Sequence, residues 1–218
     1  MNMKSGLVGR FGALVLVVAM ASIAFSIPNL TATVRPAFPF VGMSMVYYGV
    51  DSGEGGVGSN GNTEIRTISV LRYDADNNHV IIRDSQDVFD VTVVDLRTRE
   101  VESTTGWDWA FTKPYYVEYW IPTYVRLGSQ VKILNYDAIV TGSTKMCVDG
   151  RVIDVWQLQA SGVYRDTTYP MQDTWYYDQR TGLLVAAAWI VYAGDAVVYN
   201  LGGHLVSTNA VLGFTQTN

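Results

Sequence analysis

The sequence has one cysteine, Cys147, and two histidines, His79 and His204. A single cysteine excludes an internal disulfide, so the fold must depend on packing and strand pairing. We expect Cys147 to be a buried residue of a strand. Neither histidine has a second histidine or a cysteine at the spacing that metal sites use, which argues against a transition-metal centre. We therefore expect no cofactor, with calcium as the only ion to consider.

Positive charge is also scarce. Lys4 and Arg10 are the only basic residues within residues 1–27, which leaves 13 of the 15 Lys and Arg residues against 20 Asp and Glu residues in the rest of the chain. No basic cluster occurs, and this balance argues against nucleic acid as a partner.

The common signatures of enzymes are missing. The sequence contains no Gly-x-Ser-x-Gly motif, phosphate-binding loop, dinucleotide-binding loop or Cys–His arrangement. We predict a protein that is not an enzyme and that works by binding or by contributing to a cell-envelope assembly. A hydrolase with dispersed carboxylates is a further alternative, because such carboxylates have no sequence signature.

Only one long run is almost wholly apolar, residues 11–27, which carry no charge, and Lys4 and Arg10 precede it. As a helix it would span roughly 25 Å, slightly less than the roughly 30 Å hydrocarbon core of a bilayer. It is also longer than the apolar part of most cleaved signals. We predict a signal-anchor helix in residues 1–27 that crosses the membrane once and leaves the C-terminal domain outside. The alternative is a cleaved signal, which would make the protein secreted.

Residues 28–40 contain three prolines and predict an extended stalk after the anchor. Asn29 begins an Asn-Leu-Thr glycosylation sequon, although it lies close to the predicted membrane surface. Residues 41–218 are numerous enough for one core and contain no long linker, so we predict a single extracytoplasmic β domain there.

The body alternates short runs rich in Val, Ile, Thr, Tyr and Trp with turn sequences such as Asp149-Gly150. It lacks the spacing of a long amphipathic helix. This pattern predicts a mainly β fold, built as a curved antiparallel sheet, a half-barrel or a sandwich. One of the predicted strands covers residues 107–120.

Residues 183–218 carry a single charge, Asp195. A segment with so little charge is typical of strands in the centre of a sheet. The alternative is an edge strand at 205–214 that pairs with a second copy of the chain in a homo-assembly.

One pattern occurs twice, as Val94-Asp95-Leu96-Arg97-Thr98 and as Tyr177-Asp178-Gln179-Arg180-Thr181. In both, the aspartate can accept a hydrogen bond from the backbone of the turn that follows it. We predict two turns of the same kind, each between two strands. Turn chemistry alone explains the match, and a duplicated hairpin is the alternative.

A wider pattern consists of Trp120-Ile121-Pro122, then Leu127-Gly128-Ser129-Gln130-Val131-Lys132-Ile133, then Trp156, then Trp175-Tyr176-Tyr177-Asp178-Gln179-Arg180-Thr181-Gly182-Leu183-Leu184. It resembles uncharacterised, mostly archaeal, cell-surface proteins, and its last hairpin is similar to one in the curved sheet of lipoprotein carriers. The resemblance spans roughly residues 107–191. It implies an extracytoplasmic antiparallel β domain and no catalytic residue. The missing lipid-anchor cysteine departs from the carrier pattern and counts against a carrier role.

Aromatic residues carry the strongest remaining functional signal. In a β domain without disulfides, their default role is a core built from large rings. The alternative is a ring-lined face that binds a glycan or a lipid, because Tyr and Trp combine apolar faces with a hydrogen-bonding edge. The residues predicted for such a face are Trp107, Trp109, Phe111, Tyr119, Trp175 and Tyr177.

Three carboxylates lie close together in the sequence, at Asp84, Asp87 and Asp90. We expect a solvated turn there. The alternative is a Ca²⁺ site, because a turn could gather their oxygens, although the spacing matches no known calcium loop.

Overall fold

The structure is a computed structural model that describes residues 38–51, 62–85, 91–105, 114–163 and 168–212. These residues belong to one compact unit, Phe38–Asn218. The predicted anchor helix in residues 1–27 and the sequon at Asn29 lie outside the described residues. In the part of the chain that is described, no helix has both the length and the apolar character that a membrane crossing requires.

The described residues form one sheet of eleven strands. The strands are β1 Ser44–Asp51, β2 Asn62–Asp74, β3 His79–Asp84, β4 Val91–Asp95, β5 Val101–Thr104, β6 Gln130–Ile133, β7 Tyr136–Val148, β8 Arg151–Val163, β9 Pro170–Asp178, β10 Leu184–Ala193 and β11 Ala196–Thr208.

The strands are arranged in the order β5-β4-β3-β2-β1-β11-β10-β9-β8-β7-β6, and every neighbouring pair is antiparallel. All neighbours in the sheet are also consecutive in sequence, except β1 and β11. The pairing of β1 with β11 places the first and last strands in the middle of the sheet. The predicted mainly β, antiparallel fold is confirmed as one large sheet that is not closed.

The apolar C-terminal residues form central strands, as predicted. β11 lies between β1 and β10, and β10 lies between β11 and β9. The edge strands of the described sheet are β5 and β6. Pairing with a second copy through β11 would therefore require that strand to leave one of its two partners.

One face of the sheet is buried, and we call it the inner face. Along β9, the buried residues Met171, Asp173, Trp175 and Tyr177 share this face, because successive side chains of a strand point to opposite sides. Fully burying a side chain as large as that of Trp175 stabilises a fold by about 2–3 kcal/mol. Packing on the inner face therefore provides the stabilisation that a chain without disulfides needs.

Residues 114–129, which we call the strap, are the described part of the connection from β5 to β6 that directly precedes β6. Within the strap, Tyr116 forms isolated bridges with Glu100, beside β5, and with Leu134, beside β6. One residue thus touches the chain next to both edges of the sheet. The sheet must therefore curl around its buried face, although its edge strands do not pair with each other.

The prediction of a strand at 107–120 is wrong for residues 114–120, the part of it that the structure describes. Over these residues the backbone makes only isolated bridges. The nearby Pro114 and Pro122 have no backbone N–H to donate to a strand ladder. The aromatic residues here pack as part of the strap rather than along a strand.

The turns at Asp95 and Asp178 share one geometry, which confirms the predicted similarity. The carboxylate of Asp95 accepts a hydrogen bond from the backbone N–H of Thr98 at 2.8 Å, and that of Asp178 accepts one from Thr181 at 3.0 Å. In each turn the aspartate's own carbonyl accepts a hydrogen bond from the residue four positions later. Those residues, Arg99 and Gly182, both have left-handed backbone conformations, with φ of 66° and 73°.

Both turns hold the strap. The backbone N–H of Val117 donates to the carbonyl of Arg99 at 2.9 Å, and that of Ile121 donates to the carbonyl of Gly182 at 2.8 Å. The guanidinium of Arg99, only 5% exposed, also donates to the carbonyls of Val117 at 3.2 Å, Trp120 at 2.7 Å and Lys132. The two aspartate turns therefore fix the strap against the sheet.

Cys147 lies in β7 but is exposed, so the prediction of a buried residue is wrong. Its neighbour Val148 is buried on the inner face. Because side chains alternate along a strand, Cys147 points to the opposite, solvent-facing side.

Candidate functional site

A cleft of about 440 Å³ lies between the strap and the inner face of the sheet. Side chains from β1 to β5, from β10 and β11, and from the strap line it. Most of the lining is apolar and includes Ile68, Val101, Leu134, Leu184 and Leu201. A cleft of this size falls within the roughly 300–1,000 Å³ that is usual for small-molecule sites.

Small residues leave space above the sheet at one wall of the cleft. Gly49 on β1 pairs with Gly203 on β11, and Gly203 pairs with Ala187 on β10. All three residues line the cleft. This row of missing or minimal side chains gives a ligand access to the backbone of the central strands.

Several polar side chains, grouped around Arg66, lie at another wall of the cleft. Its Nε donates to Oδ2 of Asp84 at 2.5 Å, and its Nη2 forms an ion pair with the same oxygen. Nη2 also donates to the hydroxyl of Tyr119 at 2.8 Å, and the guanidinium carbon lies 5.7 Å from the centre of that ring. The positive charge of Arg66 is therefore held by a carboxylate and a phenol in the cleft.

Glu118 brings a carboxyl group from the strap into the cleft. Glu118 is only 9% exposed, and its backbone carbonyl accepts a hydrogen bond from the hydroxyl of Tyr177 at 2.8 Å. Burial raises the pKa of Glu118, while the charge of Arg66 and the indole of Trp175 lower it only in part. The strap thus keeps a carboxyl group that ionises less readily than an exposed one.

Asp173 is a second buried acid, on the inner face of β9 and only 2% exposed. Burial and the nearby charge of Glu118 raise the pKa of Asp173 to about 7. In an unfolded chain an aspartate has a pKa of about 3.9. The folded protein therefore binds a proton at Asp173 over a pH range in which the unfolded chain has lost it.

This difference predicts how stability depends on pH. Between about pH 4 and pH 7 the folded state holds more protons than the unfolded state, so the free energy of unfolding falls as pH rises, by roughly 3 kcal/mol for this group. Replacement of Asp173 by Asn should flatten the profile over this range. Guanidinium unfolding at several pH values measures the free energy of unfolding of the unmodified full chain and of the variant. An equally steep fall of stability with pH in the variant would show that Asp173 is not the group responsible.

The structure separates the residues predicted for a ligand-binding face. Tyr119 lines the cleft, whereas Trp175 and Tyr177 are fully buried in the core. The others, Trp107, Trp109 and Phe111, lie outside the described residues.

Of the residues predicted as the alternative calcium site, only Asp84 is described. Its carboxylate is bound by Arg66 and faces the cleft. Asp87 and Asp90 lie outside the described residues. An aspartate that already neutralises an arginine is a poor ligand for a cation.

Another group of metal-ligand types lies on three adjacent strands, at His79, Asp95 and Glu102. Their donor atoms lie within 4.8 Å of one another. However, Oδ1 of Asp95 already accepts the backbone N–H groups of Arg97 and Thr98 in its own turn. The turn alone accounts for the position of this carboxylate, so the group does not indicate a metal site.

Several residues of the cleft were not predicted from the sequence. Arg66 and Glu118 are far apart along the chain and match no motif, and Asp173, which lies beside the cleft, appears in the sequence as one acid among many. Only the strand order brings them near one another. A search of family models, curated proteins and solved structures found no match to this chain.

Proposed function

We propose that this protein is a non-enzymatic binding domain, held outside the cytoplasm by an N-terminal anchor, whose curved half-barrel sheet binds an amphipathic, lipid-like molecule in the cleft. The observation that carries the proposal is a cleft of about 440 Å³ with mainly apolar walls and a few polar side chains. Such a lining suits a ligand with an apolar body and one polar end.

A lipid-like ligand fits the described cleft better than a glycan. Sugars stack on flat, open aromatic faces, and Trp175 and Tyr177 are buried. The ring of Tyr119 contacts Arg66 and lies 6.3 Å from the ring of Tyr47 at an angle of 32°. Its neighbours therefore occupy part of the surface that a sugar would use, while the aliphatic walls remain available to an alkyl chain.

The charged groups of the cleft also fit binding better than hydrolysis. A glycoside hydrolase of the usual kind needs two carboxyl groups on opposite sides of the scissile bond. The carboxylate of Asp84 is instead engaged by Arg66. The anchor is a separate part of the proposal and rests on the uncharged run at residues 11–27 behind Lys4 and Arg10.

Filling the cleft tests the binding role. Ala187 lines the cleft, whereas its neighbour Ala188 lies on the opposite face of β10 and pairs with Gly202 and Thr174. We expect Ala187→Leu to weaken binding of the apolar fluorophore N-phenyl-1-naphthylamine by about tenfold or more, because the added side chain occupies the ligand's space. Fluorescence titration of the full chain, kept in solution by an amphipol, measures the affinity.

The matched control is Ala188→Leu, which adds the same atoms on the other side of the strand. It should bind the fluorophore as the unmodified chain does. Equal affinities in the two variants would show that the fluorophore binds elsewhere and would refute the proposed site.

A further inference from the structure

Two buried polar atoms on neighbouring strands, Oδ1 of Asp173 and Nε1 of Trp189, have no hydrogen-bond partner in the part of the chain that the structure describes. A buried polar atom without a partner is costly, and nearly all such atoms in folded proteins are paired with protein, water or ligand. Two such atoms on directly paired residues therefore point to a group that binds there.

These atoms lie close together beside the cleft. Asp173 and Trp189 are directly opposite each other on β9 and β10, so their side chains project from the same face. Trp175 is two residues further along β9 and shares that face. Trp189 lines the cleft. The carboxyl group of Glu118 from the strap interacts electrostatically with Asp173 and accepts a hydrogen bond from the indole of Trp175.

The chemistry of these two groups selects the polar group that would bind between them. The indole N–H of Trp189 can only donate a hydrogen bond, whereas the carboxyl group of Asp173 accepts one when ionised and can donate one when it carries a proton. A ligand carboxylate would accept from the indole but would bring a negative charge beside two buried acids, Asp173 and Glu118. A ligand ammonium would donate to Asp173 but could accept nothing from the indole. A hydroxyl group can accept from the indole and can donate to the carboxyl group or accept from it, in either protonation state of Asp173.

From this complementarity we infer that the polar end of the bound molecule is an uncharged, hydroxylated group, such as the glycerol of a monoacylglycerol, and that Trp189 and Asp173 recognise it. The alkyl chain then lies against the apolar walls of the cleft, which include Leu184 and Leu201. This inference rests on the proposed function, since it specifies the ligand of the same cleft.

The test compares three molecules with closely similar chains and different heads: 1-octanoylglycerol, octanoate and octylammonium. Each is titrated at pH 7 into the full chain in amphipol and followed by calorimetry. We expect 1-octanoylglycerol to bind about tenfold or more tightly than either charged molecule. Trp189→Phe keeps an aromatic ring and removes the N–H, so it should weaken the binding of 1-octanoylglycerol about two- to tenfold.

The control variant is Trp156→Phe, because Trp156 on β8 does not line the cleft. It should leave the affinity for 1-octanoylglycerol unchanged. Charged molecules that bind as tightly as 1-octanoylglycerol, an unchanged affinity in Trp189→Phe, or no binding by any of the three would each overturn the inference. The proposed function is judged separately, by the fluorophore experiment on Ala187→Leu, so the two can fail independently.

Discussion

Replacement of Gly182 by alanine should destabilise the protein by about 3 kcal/mol or more, one of the two largest losses that we expect from a single substitution. Gly182 has a φ of 73°, a left-handed conformation that costs alanine about 1 kcal/mol. In addition, a Cβ atom at this position would overlap the backbone carbonyl of Ile121 in the strap. Because a backbone carbonyl cannot rotate away like a side chain, the strap would have to shift, and such overpacking costs a further 1–3 kcal/mol or so.

Gly150 provides a matched control. Its φ is 71°, nearly the same as that of Gly182, but a Cβ there would meet nothing within 4 Å. Gly150→Ala should therefore lose only the backbone contribution, about 1 kcal/mol. Guanidinium unfolding of the full chain measures the stability loss in each variant. The difference between the two losses gives the contribution of the close contact between residue 182 and the strap. Equal losses in the two variants would show that the strap does not pack tightly against Gly182.

Replacement of Arg99 by methionine should destabilise the protein by about 3–5 kcal/mol. The guanidinium of Arg99 donates to three backbone carbonyls, those of Val117, Trp120 and Lys132. Methionine has a similar length but no donor, so these carbonyls would lose their partners, and hydrogen bonds to charged groups contribute about 1.5–3 kcal/mol each. Chemical denaturation of the full chain measures the loss.

Two further substitutions show whether the loss comes from the hydrogen bonds. Arg97→Met alters an exposed arginine of the same turn and should change stability by less than about 0.5 kcal/mol. Arg99→Lys keeps the positive charge but not the planar fork, so it should recover only part of the lost stability. If Arg99→Lys restored full stability, the charge rather than the three directed hydrogen bonds would hold the strap.

The sequence predicted the parts of the fold that local chemistry determines. The aspartate turns at Asp95 and Asp178 depend on residues within five positions of one another, and both were predicted correctly. The central position of β10 and β11 followed from the lack of charge in residues 183–218. In contrast, β5 has only four residues, Val101–Thr104, and just one of them, Val101, is apolar. It therefore lacks the alternation of apolar and polar residues by which a strand is recognised in a sequence.

The strap could not be predicted because contacts distant in sequence determine its path. Its aromatic residues resemble those of a strand, yet Tyr116 bridges two segments at the opposite edges of the sheet. The same holds for the cleft. Tyr119 was predicted as part of an aromatic group, but Arg66 and Trp189 come together only because β1 pairs with β11. That pairing joins residues that are 150 or more positions apart in the chain.

A crystal structure of the full chain with 1-octanoylglycerol would test the central claim most directly. The cleft between the strap and the inner face should contain the ligand, with its alkyl chain against Leu184 and Leu201. A glycerol hydroxyl should lie within hydrogen-bond distance of Nε1 of Trp189 and of the carboxyl group of Asp173. A ligand bound anywhere else, or a cleft without ligand at saturating concentration, would contradict the account.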